Sequence, residues 1–317
     1  MTELLTFGET MLRLSPPRGQ RLEAVREFEV VVGGAESNVA TAAAQLGHDV
    51  RWVSRLPDSP LGRRVIRELR SNDVTTEIVW DDRHRLGTYY LEHGSDPRPV
   101  NVVYDRADSA FTHISEADLP IGTIEAADVV HTSGITPGLS DVTAEVTETL
   151  LETASDSSAA VSFDLNYRSK LWDREAARDT FESLFEHVDL LFAPERDVSD
   201  VLGIDEAPEK QAVRLADGYD VETVVITLGS EGALALQDGE IHRQSAIETE
   251  TFDAIGTGDA FVGGFLAEHL AGSGIGRRLA YGAATAALKR TIGGDAALIT
   301  PDEVAAIVND ATEEISR

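Results

Sequence analysis

A glycine-rich turn that leads directly into an apolar helix is the segment of this sequence best suited to chemistry. It reads DAIGTGDAFVGGF over residues 253–265. The backbone N–H groups of Gly256, Thr257 and Gly258 would converge beside the positive end of the helix, an arrangement that binds anions. Asp259 would follow in the first helical turn, where a carboxylate can accept the proton of a hydroxyl that attacks phosphorus. The same carboxylate can instead simply cap the helix, and the segment alone leaves both roles open.

A pair of glycines precedes a second helix, one with a polar start. The segment is VVGGAESNVATAAAQLG, residues 31–47. Gly33 and Gly34 would leave bare backbone for a polyol to lie on, and Asn38 offers a donor and an acceptor to its hydroxyl groups. An ordinary capping turn explains the same pattern, so both interpretations stand at this point.

The elements that must position these segments alternate along the chain. Apolar, β-rich runs are followed by stretches with helical periodicity, which predicts an α/β fold with a mainly parallel sheet between helices. The predicted strands cover residues 4–8, 50–55, 128–134, 160–166, 189–195 and 223–229. The predicted helices cover residues 37–46, 141–151, 174–185, 258–270, 275–290 and 301–309.

Two stretches, residues 10–33 and 84–112, break this alternation. They are short, partly alternating in hydrophobicity and rich in charge. This pattern is more typical of antiparallel ribbons than of crossover units, so the two stretches can form a small separate sheet. Residues 233–244 predict a hairpin whose two-residue turn is Asp238-Gly239.

Charge and composition exclude several classes of function. The chain has 27 Lys and Arg against 56 Asp and Glu, a net charge of -29, and no cysteine. Such a surface repels phosphates and anionic lipids, so we expect no nucleic acid and no membrane as a partner. The N-terminus lacks the pattern of a secretory signal, which favours a cytoplasmic protein. The charge is typical of a surface adapted to concentrated salt, that is, of a halophilic protein.

Several common motifs of nucleotide-binding proteins and hydrolases do not occur. No lysine follows a glycine, which excludes the usual phosphate loop, and neither a G-x-S-x-G elbow nor an H-E-x-x-H zinc helix is present. The eight histidines are scattered along the chain. We therefore expect no metal site built on histidine.

The two glycine-containing segments together resemble a known family. GGAESNVA (33–40) and DAIGTGDAF (253–261), in this order and roughly 220 residues apart, are similar to the two signatures of the ribokinase (PfkB) family of carbohydrate kinases. Within that family SGIT (133–136), DLNYRSKLW (164–172) and VVYDRADSA (102–110) resemble the 2-keto-3-deoxygluconate kinases. The similarity covers nearly the whole chain.

This resemblance implies a fold, a substrate and a catalytic group. The fold would be a single ribokinase-like domain over residues 1–317, with a lid formed by residues 10–33 and 84–112. Asp259 would be the general base, and Gly256, Thr257 and Gly258 would complete the catalytic turn. The sugar acid would contact Gly34, Ala35, Glu36, Ser37, Asn38, Tyr90, Tyr104, Arg106, Arg168 and Asp295. Arg106 and Arg168 can grip a carboxylate with paired donors, although a surface ion pair is the alternative for each.

The resemblance also implies a site for ATP and Mg²⁺. Its residues would be Asn166, Arg168, Thr227, Gly229, Gly232, Gly256 and Gly258. Thr227 stands where many relatives have a lysine, so the phosphates would depend more on Mg²⁺ and Arg168. Glu195 would help to hold Mg²⁺ through water, although the preceding Pro194 offers no N–H. A homo-oligomer is expected by similarity.

The leading hypothesis from the sequence is ATP-dependent phosphorylation of 2-keto-3-deoxygluconate, and also of its galactose-derived epimer, to the 6-phosphate. A fructokinase or another neutral-sugar kinase of the same family is one alternative, since it would share the same catalytic residues. A sugar-binding regulator without activity is another alternative, which the intact catalytic turn argues against.

Overall fold

Two β-sheets organise the described part of the chain, residues 2–94 and 97–315 of a computed structural model. The strands are β1 (Leu4–Phe7), β2 (Met11–Ser15), β3 (Glu29–Gly33), β4 (Val50–Pro57), β5 (Thr75–Asp81), β6 (Thr88–Glu92), β7 (Asn101–Asp105), β8 (Val129–Ser133), β9 (Ala160–Asp164), β10 (Leu190–Pro194), β11 (Thr223–Thr227), β12 (Ala233–Gln237) and β13 (Glu240–Gln244). The helices are α1 (Ala35–Gln45), α2 (Pro60–Ser71), α3 (Ile121–Ile124), α4 (Asp141–Ser155), α5 (Arg174–Leu184), α6 (Glu195–Leu202), α7 (Pro208–Tyr219), α8 (Thr257–Leu270), α9 (Ile275–Arg290) and α10 (Pro301–Ile315).

The larger sheet has nine strands within the described residues, in the order β13-β12-β11-β10-β9-β8-β1-β4-β5. Strands β4, β5, β1 and β8 to β11 are parallel, and β12 and β13 are antiparallel to their neighbours. This confirms the predicted α/β fold, including the hairpin β12–β13. Its turn residues Asp238 and Gly239 have φ of 51° and 76°, as a two-residue turn of this kind requires.

The smaller sheet has the order β3-β2-β6-β7 in the part of the chain that the structure describes. Its strands lie within residues 10–33 and 84–112, although residues 95 and 96 of the second stretch are outside the described residues. The pairs β2–β3 and β6–β7 are antiparallel, as expected of ribbons. The two ribbons are joined by a parallel pair, β2–β6, which the local pattern did not predict because it links distant segments.

Apolar side chains on both faces of the larger sheet make the core. Successive residues of a strand point to opposite faces, so Leu5 packs with Phe163 and Phe181 on one face, while Leu4 packs with Trp52 and Phe265 on the other. The second face carries α1 and α8. None of the helices in the described ranges combines the length and hydrophobicity that a bilayer crossing requires.

Helices α1 and α8 pack very closely, and this contact positions the site. A Cβ added to Gly263 of α8 would lie 2.5 Å from the Cβ of Ala42 in α1, so a larger residue would push the helices apart. Asn38 and Asp259 lie one helical turn before Ala42 and Gly263, respectively. Because residues four apart share a helix face, the close contact also brings these two polar side chains together.

Candidate active site

A cavity of about 460 Å³ lies between the carboxyl ends of the parallel strands and the smaller sheet. Ligands of open α/β sheets bind at this edge. Strands β9, β10 and β11 contribute Asp164, Pro194 and Thr227 to its wall, and the smaller sheet contributes Tyr89 and Tyr104. The predicted site residues that line it are Gly34, Ala35, Asn38, Tyr104, Arg106, Asn166, Arg168, Thr227, Gly256, Thr257, Gly258, Asp259 and Asp295.

The glycine-rich turn reaches the cavity because of its backbone conformation. Gly256 has φ of 76°, and a Cβ there would lie 1.9 Å from the carbonyl oxygen of Asp295, so this position requires glycine. Helix α8 begins at the next residue. The amide of Thr257 donates to the carbonyl of Ala254 at 3.3 Å. The amides of Gly258 and Asp259 belong to the first turn, where N–H groups have no acceptor within the helix.

Asn38 holds the carboxyl group of Asp259 at the edge of the cavity. Its Nδ2 donates to Asp259 Oδ2 at 2.7 Å. Burial raises the pKa of Asp259 above its ordinary value, and the Asn38 hydrogen bond and the charges of Arg168 and Lys289 oppose this rise. The carboxylate therefore has one fixed donor, while the open side of the cavity lies next to it, as a general base requires.

Two further carboxyl groups lie close by, Asp164 near Asp259 and Asp197 near Asp164. Asp164 is buried at the end of β9, and burial together with the charge of Asp259 raises its pKa to about 8. Asp197 in α6 is also buried, and burial raises its pKa although Arg196 and Arg168 lower it. A cation beside these groups would favour their charged forms. The half-buried side chain of Arg168 supplies positive charge near Asp164 and Asp197 and lowers the pKa of both.

A buried ion cluster fixes the wall of the cavity below the smaller sheet. Arg13 Nη1 lies 2.6 Å from Asp295 Oδ1, and Arg13 Nη2 lies 3.2 Å from Asp253 Oδ2. The hydroxyl of Tyr89 donates to Asp295. Burial raises the pKa of Asp295 to about 6 against the lowering effect of Arg13 and Tyr89. Lys289, fully buried, donates to the carbonyl of Asp253 at 3.0 Å.

Arg106 lines the cavity but is already paired. Its Nε donates to Glu9 Oε2 at 2.8 Å, and its Nη2 binds the same oxygen. Ser109 donates to the other oxygen of Glu9. The ion-pair alternative for Arg106 therefore holds in the structure, with the difference that the pair is buried rather than on the surface.

A second cavity, of about 200 Å³, adjoins the first at the start of α8. Thr227, Thr257 and Gly258 line both cavities. Gly229 and Gly232 lie here, as do several small or apolar side chains: Ala246, Ile247, Phe261, Ala283, Ala286 and Ala287. A narrow apolar slot of this kind suits a flat ring, and the N-terminus of α8 stands between the slot and the larger cavity.

Among the described residues, four predicted site residues lie outside both cavities: Glu36, Ser37, Tyr90 and Glu195. Glu36 is buried and its Oε1 accepts from Ser133 and Thr136, so it ties α1 to the end of β8. Ser37 accepts from Thr10 and donates to the carbonyl of Gly34. Both point away from the cavity because Ala35 and Asn38, three residues apart, share the helix face that lines it.

Among the residues that the structure describes, neither Tyr90 nor Glu195 lines the cavity. Strand β6 turns Tyr89 into the cavity and Tyr90 to the opposite face, where its ring lies 6.0 Å from that of Phe28. Glu195 is exposed at the start of α6, whereas Asp197 is buried and accepts from the amide of Tyr167. A Cβ on Gly34 would meet the carbonyl oxygen of Glu9 at 2.4 Å, so glycine is needed here for the neighbouring backbone. Gly34 also lines the cavity, and its contact with a polyol stays a prediction.

The site contains residues that the sequence did not single out: Glu9, Arg13, Tyr89, Asp164, Asp197 and Asp253. Arg13 carried a usable signal, because a charged residue in the apolar strand MLRLS has to find buried partners. Asp164 also carried a usable signal, because it ends a buried strand two residues before Asn166. The pairing of Glu9 with Arg106 joins residues 97 apart and has no local signal.

Known proteins similar to this one match nearly the whole chain. The model of the pfkB family carbohydrate kinases matches residues 1–302. A 2-dehydro-3-deoxygalactonokinase of Haloferax volcanii is 53% identical over 315 residues, which are 99% of each chain. A 2-dehydro-3-deoxygluconokinase of Thermoproteus tenax is 31% identical over 308 residues, 96% of this chain and 93% of that protein.

Solved structures agree with the sequence relatives. The crystal structure of a 2-dehydro-3-deoxygluconokinase from Thermotoga maritima has a TM-score of 0.92 to this chain, with 35% identity over 98% of this chain and 100% of that one. The family resemblance of residues 33–40 and 253–261 is thereby confirmed. With its match from end to end, its ribokinase-like sheet and its glycine turn before Asp259, this chain belongs to the pfkB family of carbohydrate kinases.

Proposed function

We propose that this protein transfers the γ-phosphoryl group of ATP to the terminal hydroxyl of 2-dehydro-3-deoxygluconate (2-keto-3-deoxygluconate) and of its galactonate epimer, giving the 6-phosphates. The observation that carries this proposal is the meeting of two cavities at the start of α8. The larger one, with polar walls, would hold the sugar acid, and the narrow apolar one would hold the adenine ring. Asp259 lines the cavity on the sugar side of their junction.

In this proposal Asp259 takes the proton of the attacking hydroxyl. The amides of the first turn of α8 and the positive helix end stabilise the charge on the phosphoryl group during transfer. Asn38 keeps the carboxylate oriented, since its amide group donates to Oδ2. The remaining barrier is lowered mainly by holding the two substrates in line.

In this proposal the sugar acid lies on the side of the larger cavity that carries arginine side chains. Arg168 lines this cavity and offers a local positive charge to a carboxylate in a protein of net charge -29, whereas Arg106 could do so only by releasing Glu9. Tyr104, Asn38 and the peptide at Gly34 supply further polar contacts. The two tyrosines of β6 and β7 that face the cavity, Tyr89 and Tyr104, would cover the sugar from above.

The residues present fit a magnesium ion. Asp164 and Asn166 present hard oxygen ligands at the cavity wall. Burial and the charge of Asp259 raise the pKa of Asp164, and Arg168 only partly opposes this rise, so a further cation beside Asp164 would favour its charged form. Asp164, Asn166 and, through water, Asp197 would hold Mg²⁺. When bound with ATP, the ion would neutralise phosphate charge. Glu195 is less suited because it is exposed.

We further infer that residues 1–317 act as one kinase domain whose smaller sheet is a lid. Closure of this sheet over the sugar would exclude water and limit ATP hydrolysis. The sheet already reaches the core through Arg13, which binds Asp253 and Asp295. A homo-oligomer and a cytoplasmic location are further parts of the proposal.

A neutral-sugar kinase is the second candidate, and the pairing of Arg106 favours it. Two donors of this arginine are bound to Glu9, which leaves it less free for a substrate carboxylate. A Fructokinase-1 of Oryza sativa is 28% identical to this chain over 266 residues. The acid and neutral sugars therefore have to be compared directly.

A coupled assay of ADP release separates the candidates. We expect turnover with ATP, Mg²⁺ and either 2-dehydro-3-deoxy sugar acid, at a kcat/KM at least tenfold above that for fructose, ribose or adenosine. Arg168→Gln should raise KM for the sugar acids more than for a neutral sugar. Equal or better turnover of fructose would support the second candidate. Binding of a sugar acid in a calorimeter without any ADP release would instead indicate a regulator.

A further inference from the structure

Two histidines and an aspartate come together at the base of the hairpin β6–β7. His84 lies three residues after β5, Asp108 three residues after β7, and His113 ends a 3-10 turn at Ala110–His113. Their ligand atoms lie within 4.8 Å of one another, and within the described ranges no other three side chains from histidine, aspartate and glutamate meet this limit. None of the three lines the described wall of the active-site cavity. Histidines that are scattered in the sequence are thus adjacent in the fold.

Asp81 holds the imidazole of His84 in a defined orientation. The Nδ1 atom of His84 lies 3.0 Å from Asp81 Oδ2, and Asp81 is buried. Asp81 also accepts hydrogen bonds from the guanidinium group of Arg55 and from the backbone amides of Arg83 and His84. A charged carboxylate makes Nδ1 the protonated nitrogen, which leaves the lone pair of Nε2 for a ligand. Histidines that bind metals are usually supported by a carboxylate in this way.

His113 and Asp108 complete the cluster on the solvent side. The His113 Nε2 atom lies 2.6 Å from Asp108 Oδ1. The His84 and His113 rings are stacked, with centroids 3.6 Å apart and planes inclined by 15°. The side chains of His113 and Asp108 are 39% and 75% exposed, so an ion can reach them and they can adjust.

We propose that His84, Asp108 and His113 bind a divalent transition-metal ion, with Zn²⁺ as the best match. Two imidazoles and one carboxylate are a ligand set that zinc accepts, with a water in the fourth position. Tetrahedral ligands about 2.1 Å from zinc are roughly 3.4 Å apart. The widest separation in the cluster would therefore close by at most about 1.4 Å, and the Asp108–His113 pair, now 2.6 Å apart, would open by about 0.8 Å. Rotation of the exposed side chains can supply both movements.

Such an ion would tie together the two ends of the β6–β7 hairpin. His84 precedes β6 and the other two ligands follow β7, so the metal closes a loop in which 28 residues separate His84 from His113. The Arg85–Ser109 bridge is a backbone contact at the same place. The role is structural, and it is independent of which sugar the enzyme phosphorylates.

Calorimetric titration with Zn²⁺ tests the site. The titration is done in 1 M KCl with excess Mg²⁺, so that these cations occupy the acidic surface. Magnesium prefers oxygen ligands and competes poorly for imidazole. The wild type should bind one Zn²⁺ per chain, and Co²⁺ should give the visible absorption of a tetrahedral nitrogen and oxygen site. His113→Gln and His84→Gln should each weaken this binding at least tenfold, while His242→Gln, at an exposed histidine of β13, should not.

Two further measurements distinguish the loss of a metal site from a general loss of folding. Zn²⁺ should raise the melting temperature of the wild type and of His242→Gln but not that of the double variant His84→Gln/His113→Gln. Asp81→Asn should weaken zinc binding about 10- to 100-fold through loss of the supporting carboxylate. If wild type and double variant take up the same amount of Zn²⁺ under these conditions, the cluster is a pair of Asp–His contacts and the proposal is wrong.

Discussion

The hydrogen bond from Asn38 to Asp259 gives the sharpest test of how the base is held. Replacing Asn38 by leucine keeps the volume but removes the donor 2.7 Å from Oδ2. Hydrogen bonds to charged groups contribute about 1.5–3 kcal/mol, which corresponds to a loss of roughly 10- to 150-fold in kcat/KM. Because Asn38 lowers the pKa of Asp259, the substitution raises this pKa. The base is active only when deprotonated, so the acid limb of the pH profile should move to higher pH.

The assay is the pH dependence of kcat/KM from ADP release at saturating MgATP, between about pH 5 and 9. Thr41→Val is the matched control, because it removes a hydroxyl one turn further along α1 that donates to the carbonyl of Ser37. The control should keep the wild-type profile. An Asn38→Leu enzyme with an unmoved acid limb and a loss below threefold would refute this account of Asp259.

Four further expectations concern stability, the catalytic turn and the effect of salt. Arg13→Met should lower the free energy of unfolding by about 3–5 kcal/mol in urea denaturation, because it leaves the buried Asp253 and Asp295 without their cation. Gly256→Ala should destabilise the fold and abolish turnover, since its Cβ would overlap the carbonyl of Asp295. Gly258→Ala should leave stability within about 0.5 kcal/mol, because among the described residues no atom outside its own helix turn lies within 4 Å of the added Cβ, but it should raise KM for ATP. The melting temperature should rise steeply from low salt to molar KCl, because salt screens a net charge of -29.

Each of these expectations has an outcome that contradicts it. An Arg13→Met protein as stable as the wild type would mean that the buried carboxyl groups are served by other cations. A stable, active Gly256→Ala enzyme would show that the turn is not held in its left-handed conformation. An unchanged KM in Gly258→Ala would place the nucleotide elsewhere. A melting temperature that does not depend on KCl would remove salt adaptation as the reason for the acidic composition.

The repeating pattern of the chain was sufficient to predict the fold but not every element. The buried strands are apolar runs, so the six predicted ones recur as β1, β4 and β8 to β11. Strand β5 escaped prediction because most of it is half-buried at the sheet edge and lacks clear alternation. Helices α2, α3, α6 and α7 were missed, although Pro60 and Pro208 mark the starts of two of them. The parallel pairing of β2 with β6 depends on contacts between distant segments.

For the site, residue type was predictable and orientation was not. A strand sends Tyr89 and Tyr90 to opposite faces, and only the packing of the smaller sheet decides which one meets the cavity. On α1 the helical period separates Asn38 from Glu36, but the sequence does not show which of the two faces lines the cavity. Asn38 and Asp259 are 221 residues apart, and their contact follows from the packing of α1 on α8 at Gly263.

Turnover by Asp259→Asn tests the central claim most directly. The amide keeps the shape of the side chain and its place at the start of α8 but cannot accept the proton. We expect kcat for ADP release with the sugar acid to fall at least about 100-fold, while calorimetric binding of the sugar acid and of ATP stays within a few-fold of the wild type. A folded Asp259→Asn enzyme that retains kcat within about threefold would contradict the assignment of Asp259 as the base.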